Sequence, residues 1–252
     1  YPQEALEAVR QMGDAGHRAQ ALAALAPYLS ADLQSQVLAE ALTATRQIES
    51  GYARSQVLAA LAPHLPADLL TESLEIVRQI RDDYDCSRAL VALAPHLPPE
   101  LLPEALTVAR QIEKEEYRAE ALAALAPHLP ADLLTKALDT VRQIRDGHAR
   151  YLALAAMAPH LPTDLLADAL DAAQYIWNNA YRVNALIALA PYLLPDQQCR
   201  VLDEALDAAR QIEEAADRFS TLTILASHLP AGLQFHVLNE ALDAVRHIRN
   251  EF

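Results

Sequence analysis

The chain is 252 residues long, 52% apolar and only 5% aromatic, with 34 acidic against 20 basic residues for a net charge of −14. Such a surplus of carboxylates repels a phosphate backbone, whose binding is driven by Lys and Arg displacing counterions, and so disfavours nucleic acid as a partner. Two cysteines, Cys86 and Cys199, supply neither a disulfide framework nor a CxxC metal or redox motif, which fits a reducing cytoplasm.

The chain opens at Tyr1 directly into a helical pattern, PQEALEAVRQM, and is read as part of a longer protein. An Ala-Pro corner then recurs at Pro27, Pro63, Pro95, Pro127, Pro159 and Pro191, with Ser227 in the equivalent place, at spacings of 36, 32, 32, 32, 32 and 36. A second marker, Arg-Gln-Ile or a near variant, ends at Met12, Ile48, Ile80, Ile112, Ile144, Ile176, Ile212 and Ile248. The two markers imply seven two-helix units after an opening half unit, fifteen helices in one repeat domain over 1–252. Three units carry four extra residues after the corner, in SADLQSQVLAEAL, LPDQQCRVLDEAL and PAGLQFHVLNEAL. A helical turn takes about 3.6 residues, so the insertion lengthens a helix while barely rotating its apolar face.

The stretch 117–146, YRAEALAALAPHLPADLLTKALDTVRQIRD, shows the unit most plainly. Its first helix, expected over 116–126, has Leu122, Leu125 and Leu129 on one side and Ala119, Ala121, Ala123, Ala124 and Ala126 over most of the rest, the pattern of a buried helix. Pro127 removes an amide donor and ends or kinks that helix. The second helix is expected to open with Pro130 as its first residue, where a missing amide costs least, and Asp132 then complements the helix dipole. Acids fill that place as Asp32, Asp68, Glu100, Asp132, Asp164 and Asp196, with Gly232 the exception. Leu134, Leu138, Val141 and Ile144 follow at helical spacing. Two residues past the marker stand Asp14, Ser50, Asp82, Lys114, Asp146, Asn178 and Glu214, five of which are good N-caps for the next helix. The most apolar run, 183–194, is interrupted by Asn184 and Pro191 and falls short of the ~20 residues that cross a bilayer.

The motif Tyr117-Arg118 followed by AEALAAL, with an acid shortly before, resembles the Asp, Val-Arg and Ala-Leu signature of HEAT-type repeats, loosely in all seven units. The 32-residue period is also similar to that of tetratricopeptide repeats, whose Trp and Gly signature is absent. More faintly, Ala-rich APHLP arrays look like the helical sensor regions of bacterial signal-transduction NTPases of the STAND class. The resemblance implies a curved scaffold that binds other proteins.

Repetition stacks equivalent residues into columns. Arg18, Arg54, Arg118, Arg150, Arg182 and Arg218 stand six residues after the marker, with Cys86 in their place in one copy. A second set, Arg10, Arg46, Arg78, Arg110, Arg142, Arg210 and Arg246, precedes it. Both suit inter-repeat stapling, because a planar guanidinium can bridge two acceptors, carboxylates or helix-end carbonyls; an anion-binding stripe is the other reading. Acids form columns at Glu4, Glu40, Glu72, Glu104, Asp168, Glu204 and Glu240 and at Glu7, Glu75, Asp139, Asp171, Asp207 and Asp243, expected on a solvated face with the latter set in reach of the marker Arg on the same helix. Tyr28, His64, His96, His128, His160, Tyr192 and His228 follow the corner; rings ~8–10 Å apart, the helix packing distance, do not share a metal, so they either close the corner or present a contact stripe. Cys86 is expected to fill a packed niche, and Trp177 either anchors a contact or covers its turn.

No Gly-rich phosphate loop, HExxH or GxSxG occurs, and no cofactor, metal or catalytic residue is assigned. The reading is an all-α, open right-handed α-solenoid acting as a noncatalytic protein- or peptide-binding scaffold; an α-helical toroid enzyme and a structural spacer or oligomerisation arm are the alternatives. Candidate partner-contacting residues are Gln20, Gln56, Arg88, Glu120, Leu152, Asn184 and Ser220, among the positions that differ between copies, with His64, His96, His128 and His160. End-to-end self-association is expected from second helices at both chain ends.

Overall fold

A computed structural model describes residues 2–249, apart from the side chains of Pro2, Asp32, Val245, His247, Ile248 and Arg249. The expectations placed on Tyr1 and on the side chains of Asp32 and Ile248 therefore lie outside the described residues. Among those described there are fifteen α-helices and no strand. The chain divides into two parts, Tyr1–Leu133 and Leu134–Phe252.

The first part holds α1 (Pro2–Arg10), α2 (Ala15–Leu25), α3 (Ala31–Arg46), α4 (Gly51–Leu61), α5 (Ala67–Arg78), α6 (Asp83–Leu93), α7 (Leu102–Gln111) and α8 (Glu115–Leu125). Within it α2 packs on α4, α4 on α6 and α6 on α8, while α3 packs on α5 and α5 on α7, so like helices of successive copies lie side by side. The division falls in the first turn of α9 (Ala131–Arg142). The second part continues through α10 (Gly147–Met157), α11 (Thr163–Gln174), α12 (Asn179–Leu189), α13 (Pro195–Arg210), α14 (Ala215–Ala226) and α15 (Ala231–Arg249). Here too α10 packs on α12 and α12 on α14, with α12 also against α13 and α14 against α15.

Composition explains the helix faces. Ala119, Ala121, Leu122 and Leu125 are at most 1% exposed, while Ala123 and Ala124 are half-buried, so the first helix of this copy is enclosed along all but one strip. On α9 and just beyond it, Leu134, Leu138, Val141 and Ile144 are buried, as their spacing predicts. The helices with four extra residues, α3 and α13, run for 16 residues where α5, α9 and α11 run for 12. The insertion is absorbed as one added turn.

At each corner the α-helix tightens into a single 3₁₀ turn, as in Ala94–His96 and Ala126–His128, because the proline has no amide to donate and its ring crowds the preceding turn. Where Ser227 replaces the proline, α14 runs on through Ala226. The prolines that follow are placed differently from expectation. Pro66 and Pro162 are extended N-cap residues, not the first helical ones, and helix begins at Ala67 and Thr163. Their carbonyls accept from Leu69 and Leu165 at 3.0 and 2.9 Å, so the fixed ring sets the chain's entry angle. Two further prolines in PPELLPEAL make Pro99–Leu101 a 3₁₀ turn before α7, since Pro103 offers no N–H to the carbonyl of Pro99. No described helix is long and apolar enough to cross a membrane.

Candidate functional site

The turn between copies is built locally. Asp14, Ser50, Asp82, Asp146 and Asn178 accept from the backbone amides of His17, Ala53, Asp85, Ala149 and Tyr181 at 2.7–3.3 Å, whereas Lys114 and Glu214 make no side-chain cap. These are the five caps that residue type predicts.

The column of arginines six residues past the marker closes the other side of the turn. Arg18 donates to the carbonyl of Met12 at 2.5 Å, Arg54 to Ile48 at 2.5 Å, Arg118 to Ile112 at 2.8 Å, Arg150 to Ile144 at 2.7 Å and Arg218 to Ile212 at 2.7 Å. Three of them also reach the end of their own copy's second helix: Arg18 the Gln47 side chain at 2.9 Å, Arg54 the Gln79 carbonyl at 3.4 Å, Arg150 the Ala172 carbonyl at 3.5 Å. A helix end exposes carbonyls without intrahelical donors and carries partial negative charge, so a guanidinium there satisfies both. Stapling, not an anion stripe, is what the geometry shows for these five. Arg182 differs, donating to Asn179 Oδ1 at 2.6 Å. The Nε atoms of Arg54 and Arg118 are shut off from solvent without an acceptor, so these forks are only partly satisfied.

The marker arginines bind acids of the next copy. Arg10 pairs in bidentate fashion with Glu40 at 2.6 and 2.8 Å, Arg46 reaches Glu72 at 3.4 Å and Glu75 at 3.0 Å, Arg78 reaches Glu104 at 3.4 Å, Arg142 reaches Asp168 at 2.7 Å, and Arg210 reaches Glu240 at 2.8 and 3.0 Å. In the copy lacking arginine, Gln174 donates to Glu204 at 3.3 Å. The first acid column thus belongs to the joints between copies instead of standing free on a solvated face. The second also pairs along its own helix, Arg210 with Asp207 at 3.4 Å and Arg246 with Asp243 at 2.9 Å. The Arg210 hydrogen bond holds the Glu240 carboxyl below its ordinary range.

With these columns consumed by the scaffold, the residues left for contact are the variable ones. Gln20, Glu120, Leu152 and Ser220 are exposed, and Gln56, Arg88 and Asn184 are half-buried, all on the first helices. Arg88 lies 5.1 Å over the ring of Tyr52, so it is partly committed to a neighbour. His64, His96, His128 and His160 are all exposed, as are Tyr28, Tyr192 and His228. The rings do not close the corner: at the six proline corners the 3₁₀ turn does that and leaves the ring exposed at its end, and His228, which follows a corner without a 3₁₀ turn, is exposed as well. Trp177 and Tyr175 are 79% and 81% exposed, so the tryptophan does not cover its turn either. Tyr84 and Tyr117 meet edge to face at 5.4 Å, a contact between neighbouring first helices that residue type alone did not indicate.

Cys86 is buried, and burial pushes its thiol up to about 11, so it is protonated at neutral pH. It also lines a cavity of about 360 Å³ bounded by the turns after α5 and α7. Among the described residues no three His, Cys, Asp or Glu side chains converge as metal ligands. No protein-family model matches this sequence, and no characterised protein shows significant similarity to it.

Proposed function

We propose that the chain is a noncatalytic scaffold that binds a protein or peptide, its copies wound as an open right-handed α-solenoid. One observation carries this reading. The two arginine columns that repeat are spent on holding copies together, whereas at one equivalent position of the first helices the residue varies, and there Gln20, Glu120, Leu152 and Ser220 are open to solvent while Gln56, Arg88 and Asn184 are half-buried. A surface that is rigid in frame and variable in detail suits recognition of an extended partner. The side-by-side packing of like helices within each part supports the winding. By resemblance of its Ala-rich corners, the scaffold serves as the recognition arm of a cytoplasmic bacterial signalling or defence protein.

Site-specific photo-crosslinking in cells tests this. A photoreactive residue at Glu120 or Leu152 is expected to capture one discrete protein band, and the same residue at Asp139 or Asp207, on exposed faces of second helices, is expected to capture none. Equal labelling at all four positions, or none, overturns the reading.

A further inference from the structure

We propose that the cavity beside Cys86 is a socket for the guanidinium of an arginine side chain presented by the partner. The argument rests on the chain's own copies. Five times over, an arginine six residues past the marker inserts its guanidinium against the marker carbonyl, and in two of these it also reaches a backbone carbonyl at the end of its own copy's second helix, Gln79 or Ala172. In the third unit that position is Cys86, whose short side chain cannot reach either.

The acceptors nevertheless remain. Ile80 is the marker residue, and Gln111 and Val108 occupy the places of Gln79 and Ala172; all three line the cavity together with Cys86. Among the described residues no donor is recorded on the Ile80 carbonyl. The space is about 360 Å³, large against the ~30 Å³ share of one water. Val108 and Gln111 fall in the last turn of α7, where carbonyls lack intrahelical donors and the helix carries partial negative charge. Asp82 and Glu113 border the mouth.

The cavity's own cations are mostly engaged elsewhere: Arg78 points to Glu104 at 3.4 Å, and the Lys114 ammonium lies 5.4 Å over the Tyr117 ring. A planar fork of donors spans separate carbonyl acceptors, as Arg54 and Arg150 do in their own copies, better than an ammonium does, which selects arginine over lysine. The proposal deepens the peptide-scaffold reading and rests on it for the source of the arginine.

The test uses amide chemical-shift mapping of the whole chain with N-acetyl-L-argininamide, its neutral analogue N-acetyl-L-citrullinamide and N-acetyl-L-lysinamide. Argininamide is expected to shift the Asp82, Cys86 and Glu113 amides saturably, in the natural chain and in Arg81→Gln, which removes the remaining nearby guanidinium. Citrullinamide is expected to give no saturable shift, and lysinamide a smaller one. Cys86→Arg restores the internal guanidinium and abolishes the response, whereas Cys86→Ala keeps the socket open and retains it. No saturable shift in either background, an equal response to citrullinamide, or an undiminished response in folded Cys86→Arg overturns the socket. Because the probe is too small to engage the variable surface, a negative result with crosslinking at Glu120 intact removes the socket alone.

Discussion

Arg150 is the most deeply seated member of the staple, 7% exposed, and its replacement by methionine measures what the staple contributes. Its guanidinium donates to the carbonyls of Ile144 at 2.7 Å, Arg142 at 3.2 Å and Ala172 at 3.5 Å, the first strong and the last marginal. A hydrogen bond from a charged donor is worth about 1.5–3 kcal/mol, but withdrawing the guanidinium from water offsets much of that, so Arg150→Met is expected to cost about 2–4 kcal/mol in all. Arg150→Lys keeps the charge and loses the fork, and should recover less than half. Arg182 provides the control, because it bonds a nearby Asn179 side chain instead of the Ile176 carbonyl. Arg182→Met is expected to cost about 1 kcal/mol or less, as for a local and partly solvated contact. Urea unfolding followed by far-ultraviolet circular dichroism reads all three. If Arg150→Met and Arg182→Met cost the same, or Arg150→Met costs under half a kilocalorie, the staple does not hold the turns as argued.

Truncating the fully buried Leu125 to alanine should cost about 2–5 kcal/mol in the same assay, since the side chain leaves a cavity among packed helices. Asp146→Ala should cost about 1 kcal/mol through loss of the 2.7 Å bond to the Ala149 amide, and Glu214→Ala, which removes no cap, should be near neutral. Gly232→Asp, at a first-turn position with nothing within 4 Å, should stabilise by about 1 kcal/mol through helix propensity and the dipole. Glu240 has a folded pKa held below its unfolded one, so its contribution is present above the unfolded pKa and lost as pH falls through the folded one. Acid unfolding of Arg210→Ala should therefore be shallower than that of the natural chain. With a thiol raised to about 11 and buried, Cys86 should react with an aromatic disulfide reagent at pH 8 far more slowly than exposed Cys199.

What could be read from the sequence was whatever is local or periodic. The fifteen helices, the added turn in α3 and α13 and the five N-caps all follow from residue type at fixed spacing within a few positions. The arginine columns were visible as columns, but their partners were not. Arg46, Arg78 and Arg142 find acids 26 residues on, and Arg10 and Arg210 find theirs 30 residues on, across the four-residue insertion. That register depends on how successive helices settle against each other. The histidines were left open between packing and protruding for a related reason: whether a ring at a corner packs or protrudes depends on the neighbouring turn, and at the proline corners the rings are exposed. The cavity at Cys86 could be suspected from one break in a column, yet its volume and its lining by residues of two turns emerge only when the turns are seen together.

Many helices terminate on a glycine in the left-handed region. Among the described residues here none, glycine included, has a positive φ, and the helix ends are closed instead by an arginine arriving from the following helix. Where the arginine closes the end in this way, the residue just past the marker is Gly13, Glu49, Glu113, Arg145 or Glu213, each exposed, so no particular side chain is required there. A lineage built this way can rewrite that solvent-facing position at each stapled copy without renegotiating the fold, so diversification of the turn edge is cheap for as long as the arginine behind it is kept.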